Sequence, residues 1–162
     1  MTARHIRVRE SVSGLDCRFQ LLDDVAPQNA EALWVISGAP HARDAIHAMW
    51  TGPEISCPIS DPDLPSSLTG SAFTAENATS FPEEGEIAVV YAPANSWKGQ
   101  GGSGFFDIGL FYGRGARLLM PMGWIMASVC ARVDPADLQA LRDGCQKIRR
   151  RGACSLTFLR DI

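Results

Sequence analysis

Short apolar runs of two-residue period, each closed by Gly, Pro or a polar cluster, recur along most of this chain, and helical periodicity interrupts them only twice. RHIRVRES and LDCRFQLL flank Ser13-Gly14 and read as an opening hairpin. Apolar positions alternate again from His41 to Ile59. GEIAVVYAP, FFDIGLFYG and WIMASVCARV are rich in aromatic and β-branched residues, and ACSLTFL closes the chain in the same manner. The first helical stretch follows Asp23-Asp24 and Pro27, with Ala30, Leu33 and Trp34 on one face before Gly38. In the second, Asp134 is the expected cap, Pro135 takes the first position, and Leu138, Leu141, Cys145 and Ile148 share a face until Gly152. Some eight strands with helices near residues 27 to 37 and 135 to 150 predict a mainly β fold, a closed antiparallel barrel with two capping helices. A doubly wound α/β sheet needs more helices.

At 162 residues and 46% hydrophobic content the chain can bury one sizeable core, so residues 1 to 162 are expected to form one domain. A net charge of -3 provides no footprint for nucleic acid or an anionic membrane. The dense basic run, KIRRRG, falls where a helix ends and cations complement its dipole. Five cysteines without a Cys-x-x-Cys pair argue against structural zinc and for free thiols in a reducing cytoplasm. No apolar stretch follows the charged opening MTARHIRVRESVSG, and no run is long enough to span a bilayer, so neither a leader nor a membrane span is expected. The segment 60 to 71 reads as a loop. The glycines from 99 to 104 read as a flexible hairpin, because a strand follows them where a phosphate loop requires a helix.

The stretch CRFQLLDDVAPQNAEALWVI resembles the cyclophilin pattern in which a strand ends in Leu and Asp and Ala-Pro opens a helix. HAMWTGPEI, AENATSFPEEGEIAVVY and LFYGRGARLLMPMGWIMASVCARV are similar to a family of uncharacterised bacterial proteins of cyclophilin-like fold, a domain of unknown function. Together these segments cover most of residues 15 to 160, and the resemblance implies a cyclophilin-like barrel. In true prolyl isomerases the equivalent strand carries Phe-His-Arg, whose arginine polarises the prolyl amide. Here Ala48 follows His47, the neighbouring arginine is Arg43, and GQGGSGFF lies out of register with the isomerase Gln-Gly-Gly-Asp-Phe element. Prolyl isomerase activity is therefore not expected.

His47 offers an imidazole as proton shuttle, ligand or hydrogen-bonding group, and equally a satisfied structural histidine. Glu76 and Asn77, with Thr79, put a carboxylate and an amide in an irregular segment, where turn chemistry is the competing reading. Trp50, Tyr91, Tyr112, Trp97 and Trp124 supply aromatic walls with polar tips. No Gly-x-Ser-x-Gly elbow occurs, and no cysteine has a neighbour that would activate it. The expectation is a barrel-side pocket lined by His47, Trp50, Glu76, Asn77, Tyr91 and Tyr112 that binds a small polar metabolite without metal or cofactor. One alternative is an isomerase or hydrolase using His47 and Glu76 as acid and base. Another is an assembly subunit or homo-oligomer contacting through RLLMPMGWIM. If Ile46 and Trp50 face the core, the two-residue period puts His47 on the opposite face, in a mouth-side pocket with Glu76 or Asn77 in reach of a shared ligand.

Overall fold

The computed structural model describes residues 3–162; the first two residues of the opening read against a leader lie outside them. The elements run β1 (His5–Glu10), β2 (Leu15–Leu21), α1 (Pro27–Ser37), β3 (Arg43–His47), β4 (Glu54–Ser60), β5 (Ala78–Thr79), β6 (Glu86–Ala92), β7 (Phe105–Phe111), β8 (Leu119–Met120), β9 (Gly123–Trp124), β10 (Ala127–Val133), α2 (Leu138–Arg151) and β11 (Ala153–Asp161). Eight of the strands pair in the order β2-β1-β11-β3-β4-β7-β6-β10, all antiparallel, and β10 pairs back onto β2. That last pairing closes the barrel and removes the open edges a sheet of this size would otherwise present. β5 adds two residues to β10, and β8 and β9 form a separate hairpin.

Alternation along the strands fills the barrel. Ile6 and Val8, Cys17, Phe19 and Leu21, Ile55 and Cys57, Ile87 and Val89, Phe106, Ile108 and Leu110, and Phe158 are all buried in one cluster. Each such large side chain contributes roughly 1.5–3 kcal/mol by leaving water. The helices close opposite ends. Trp34 of α1 stacks under Arg4 and Arg160, where β1 begins and β11 ends, whereas Arg151 of α2 binds Glu10 at 2.9 Å and Gly144 lies against Leu15 at the first hairpin. Asp134 does not cap α2 with its side chain. A 3₁₀ turn at Pro135–Asp137 intervenes, and the Asp134 carboxylate instead accepts from Arg18 Nη1 at 3.0 Å.

Two features outside the barrel interior build the site. The loop 113–126 folds over the outer wall, where Ala88, Phe111, Ala116, Leu118, Ala127 and Val129 form a second, smaller apolar cluster. The chain between β3 and β4 is a turn rather than a continuous strand, with Gly52 at φ 93, a conformation that side chains disfavour. This corrects the expected phase of the His47 stretch. Arg43 and Ala45 are buried, Ile46 is 43% exposed, and Trp50 is 51% exposed on the turn. The pairing of Ala45 with Cys154 sets the phase of β3, and the two-residue period ends at His47 before it can reach Trp50.

Candidate functional site

The outer wall of β4, β6 and β7 carries the chemistry. On β4 the residues Ile55, Cys57 and Ile59 point into the barrel, so Glu54, Ser56 and Pro58 point out; on β7 the outward positions are Asp107, Gly109 and Phe111. Antiparallel pairing sets Ser56 opposite Gly109 and Glu54 opposite Phe111. Two acids thereby share one apolar surface with Ala88, Val90, Leu118 and Ile125, roofed by the turn at Trp50.

Gly109 makes their arrangement physically feasible. A Cβ there would stand 2.5 Å from Glu54 Oε1 and 2.9 Å from Phe111 Cε2, so the missing side chain is the space in which the Glu54 carboxylate lies. Alternate residues of a strand are about 7 Å apart, which places that carboxylate one such step from Asp107. Thr51 Oγ1 donates to Glu54 Oε2, and Ser56 Oγ donates to Asp107 Oδ1 at 2.8 Å and Oδ2 at 3.1 Å. Among the described residues neither carboxylate has a cationic partner, although Glu54 is only 6% exposed.

Buried acids without a counter-ion hold their protons. Burial pushes Glu54 up to about 7, the Asp107 charge pushes in the same direction, and the Thr51 hydroxyl opposes both. Burial likewise raises Asp107 to about 6, against the donors Ser56, Ile108 N–H and Cys57 N–H. Both carboxyls are thus raised from the ordinary acid range toward neutrality, the condition in which a carboxyl can both give and take a proton. A cavity of about 100 Å³ over the pair opens into a broad trough of about 1160 Å³, with Trp50, Ser56, Val90, Asp107, Met120 and Ile125 common to both. Trp97, Phe105 and Met122 continue the trough as an apolar and aromatic surface, and Lys98 also lines it.

Of the residues singled out in the sequence, Trp50 lines this cleft. Tyr91 lies along the trough, but its ring packs on Phe73 at 5.2 Å and its hydroxyl donates to Asp61 at 2.9 Å. His47 and Tyr112 line a different cavity, which Trp50 also borders, so three of the six expected residues meet there. There His47 Nδ1 lies 2.9 Å from the carbonyl of Ala48, which can only accept, so this nitrogen carries the hydrogen. In the neutral ring Nε2 then accepts from the Tyr112 hydroxyl at 2.7 Å. Both ring nitrogens are engaged by the protein.

The structure does not bring Glu76 and Asn77 to His47. Helix α1 has no side-chain cap of its own, and Glu76 serves its exposed N–H groups instead, accepting from Gln28 N at 3.2 Å, Asn29 N at 3.0 Å and Asn29 Nδ2 at 2.8 Å. Asn77, at φ 46, donates from Nδ2 to the Val129 carbonyl at 3.0 Å, which ties the loop to β10. All five thiols are raised by burial, Cys17 and Cys154 to about 11 and Cys57 to about 12, so none is an activated nucleophile. Among the described residues no three His, Cys, Asp or Glu side chains converge as metal ligands, and no helix is long and apolar enough to cross a membrane.

The sequence reading missed Glu54 and Asp107. The available signal was one acid inside FFDIGLF, a strand otherwise apolar, with a glycine two residues on and Glu opening the paired strand EISCPIS.

The model of a family described as protein of unknown function, DUF3830, matches residues 8–160. No curated protein matches the chain. Among solved structures, McbB in complex with tryptophan is similar with a TM-score of 0.65 and 18% identity, over 96% of this chain. The chain spans 44% of the length of that protein. A cyclophilin-type peptidyl-prolyl cis-trans isomerase of Cryptosporidium parvum is similar with a TM-score of 0.50 and 12% identity, over 99% of both chains. At these identities the likeness is one of fold, a cyclophilin-like barrel.

Proposed function

The chain belongs to the family of proteins of unknown function DUF3830, and we propose that its outer-wall cleft binds a small molecule and exchanges protons with it through Glu54 and Asp107. The observation that carries the reading is the pair itself: a buried carboxyl at Glu54 and a half-buried one at Asp107, neither with a counter-ion among the described residues, over a glycine that makes room for the first, at the head of an apolar trough. A fold gains no stability from such a pair, because desolvation and mutual repulsion both oppose it. Acids arranged this way are the pattern of sites that move protons near neutral pH.

The walls define the class of molecule. An apolar or aromatic body suits Trp50, Trp97, Phe105 and Met120, and a basic group such as an amine suits the acids, where its charge would supply the missing counter-ion. This moves the expected ligand from a polar metabolite to an amphipathic one. McbB, of similar fold, was solved with tryptophan, a molecule of that chemistry. Prolyl isomerisation remains outside the proposal, since Ala48 stands where the isomerases carry their arginine. Capture without turnover is the second reading, in which the same cleft and acids hold the ligand's basic group without moving a proton on carbon.

Tryptamine and tryptophan are suitable probes in a thermal-shift titration, with indole as the uncharged control. Saturable stabilisation by an amine is expected, lost in Glu54→Gln and in Asp107→Asn. Incubation of bound probes in heavy water, read by NMR, separates proton exchange at carbon from capture. Stabilisation of equal size in wild type and both variants would remove the acids from the site and the reading with them.

A further inference from the structure

The cavity that His47 and Tyr112 line has the opposite electrostatic character. It measures about 810 Å³, and four arginines converge on it: Arg114 and Arg117 from the loop after β7, and Arg142 and Arg149 from α2. Arg142 is held by Glu84 through two bonds of 2.9 and 2.5 Å. Arg114, Arg117 and Arg149 make no ion pair among the described residues, whereas most other arginines of the chain are bound to carboxylates. Three unpaired guanidinium groups beside a single carboxylate give this cavity a positive field, in a chain whose net charge is -3.

Coulomb repulsion disperses flexible surface cations unless the backbone fixes their origins, and here it does. The Arg117 N–H donates to the Thr51 carbonyl at 3.1 Å, Tyr112 N–H donates to the Pro53 carbonyl at 3.1 Å, and Gly113 packs on Pro53 so closely that a Cβ would stand 3.0 Å from it. The loop bearing Arg114 and Arg117 is thus locked to the β3–β4 turn. Arg149 is set by the last turns of α2, whose Ile148 and Cys145 are buried. The fixed His47–Tyr112 pair adds a polar wall whose members are already committed to each other.

We propose that this cavity is a second site, for a small molecule bearing a phosphate or carboxylate group, gripped by Arg114, Arg117 and Arg149. Guanidinium forks match either anion in bidentate fashion, and a concave setting strengthens the field they present. The site shares Ala48, Met49 and Trp50 with the acid cleft as a common wall but none of its arginines, and the proposal stands whether or not the cleft transfers protons.

Pyrophosphate and citrate titrated into the full chain at constant ionic strength, followed by calorimetry, test it. Saturable binding of at least one is expected, weakened at least about tenfold in the double variant Arg114→Gln/Arg149→Gln, which removes two charge-assisted contacts. Arg150→Gln, on the exposed side of α2 and outside the cavity, is expected to bind as wild type does. Preference for pyrophosphate assigns a phosphate ester and preference for citrate a carboxylate. Melting without ligand verifies that the double variant is folded, which its exposed positions favour. No saturable binding of either probe, or equal weakening by Arg150→Gln, overturns the proposal.

Discussion

Replacing Glu54 by Gln should make the protein more stable, by an amount that depends on pH. In the folded chain Glu54 keeps its proton up to about 7, whereas its ordinary value is 4.5. Between those values the folded state holds more protons than the unfolded one, so stability falls as pH rises, and the loss is complete above the folded value. The full loss is about 2.5 units at about 1.36 kcal/mol each, roughly 3 kcal/mol. Glutamine fills the same space above Gly109 and can still accept from Thr51, but it carries no charge to bury and does not repel Asp107. The advantage of Glu54→Gln over wild type should therefore grow by about 2 to 3 kcal/mol from about pH 5 to about pH 8. For a chain of this size that is a relative gain in melting temperature of about 5 to 10 °C. Scanning calorimetry or urea titration of both proteins across that range measures it, and comparing the two proteins cancels to first order the titrating groups other than Asp107, whose charge acts on Glu54. Parallel pH profiles would show that Glu54 is ionised at no cost, and the argument for the acid pair would fail.

Gly109→Ala should cost about 1 to 3 kcal/mol in urea denaturation, because its Cβ collides with both Glu54 and the buried Phe111 ring; a cost under about 0.5 kcal/mol would mean that the carboxylate lies elsewhere. Glu76→Ala should lower stability by about 1 to 2 kcal/mol by uncapping α1, yet leave stabilisation by an amine probe unchanged; loss of that stabilisation would return Glu76 to the binding site. Glu10→Gln should destabilise near neutral pH and converge with wild type in acid. Burial raises the Glu10 carboxyl, but Arg151 and Ser13 outweigh it and hold it at about 2, so its contribution is present above the ordinary 4.5 and disappears as pH falls toward 2. An unchanged acid profile in calorimetry would count against that ion pair.

Periodicity in the sequence sufficed for strands such as β1, β2 and β7 and for α1, because alternation of buried and exposed side chains is local and repeats along each strand. Those same patterns, with the segments similar to cyclophilins, point to a closed barrel, although closure itself rests on the contact of β2 with β10, which lie more than a hundred residues apart in sequence. The phase of β3 was not legible: Ile46 and Ala45 are both apolar, and only pairing with β11 decides which of them is buried. Nor was the partnership of Glu76 with α1, since a helix whose own cap position is Ala26 leaves its donors to any acid that tertiary folding delivers. The acid pair belongs wholly to the tertiary structure. Glu54 and Asp107 are separated along the chain by two strands, a long loop and a glycine-rich hairpin, and nothing in either neighbourhood names the other. The β4–β7 register brings them to one face, Gly109 leaves the space, and the folding of residues 113–126 over the outer wall limits the water that reaches Glu54 and, less completely, Asp107.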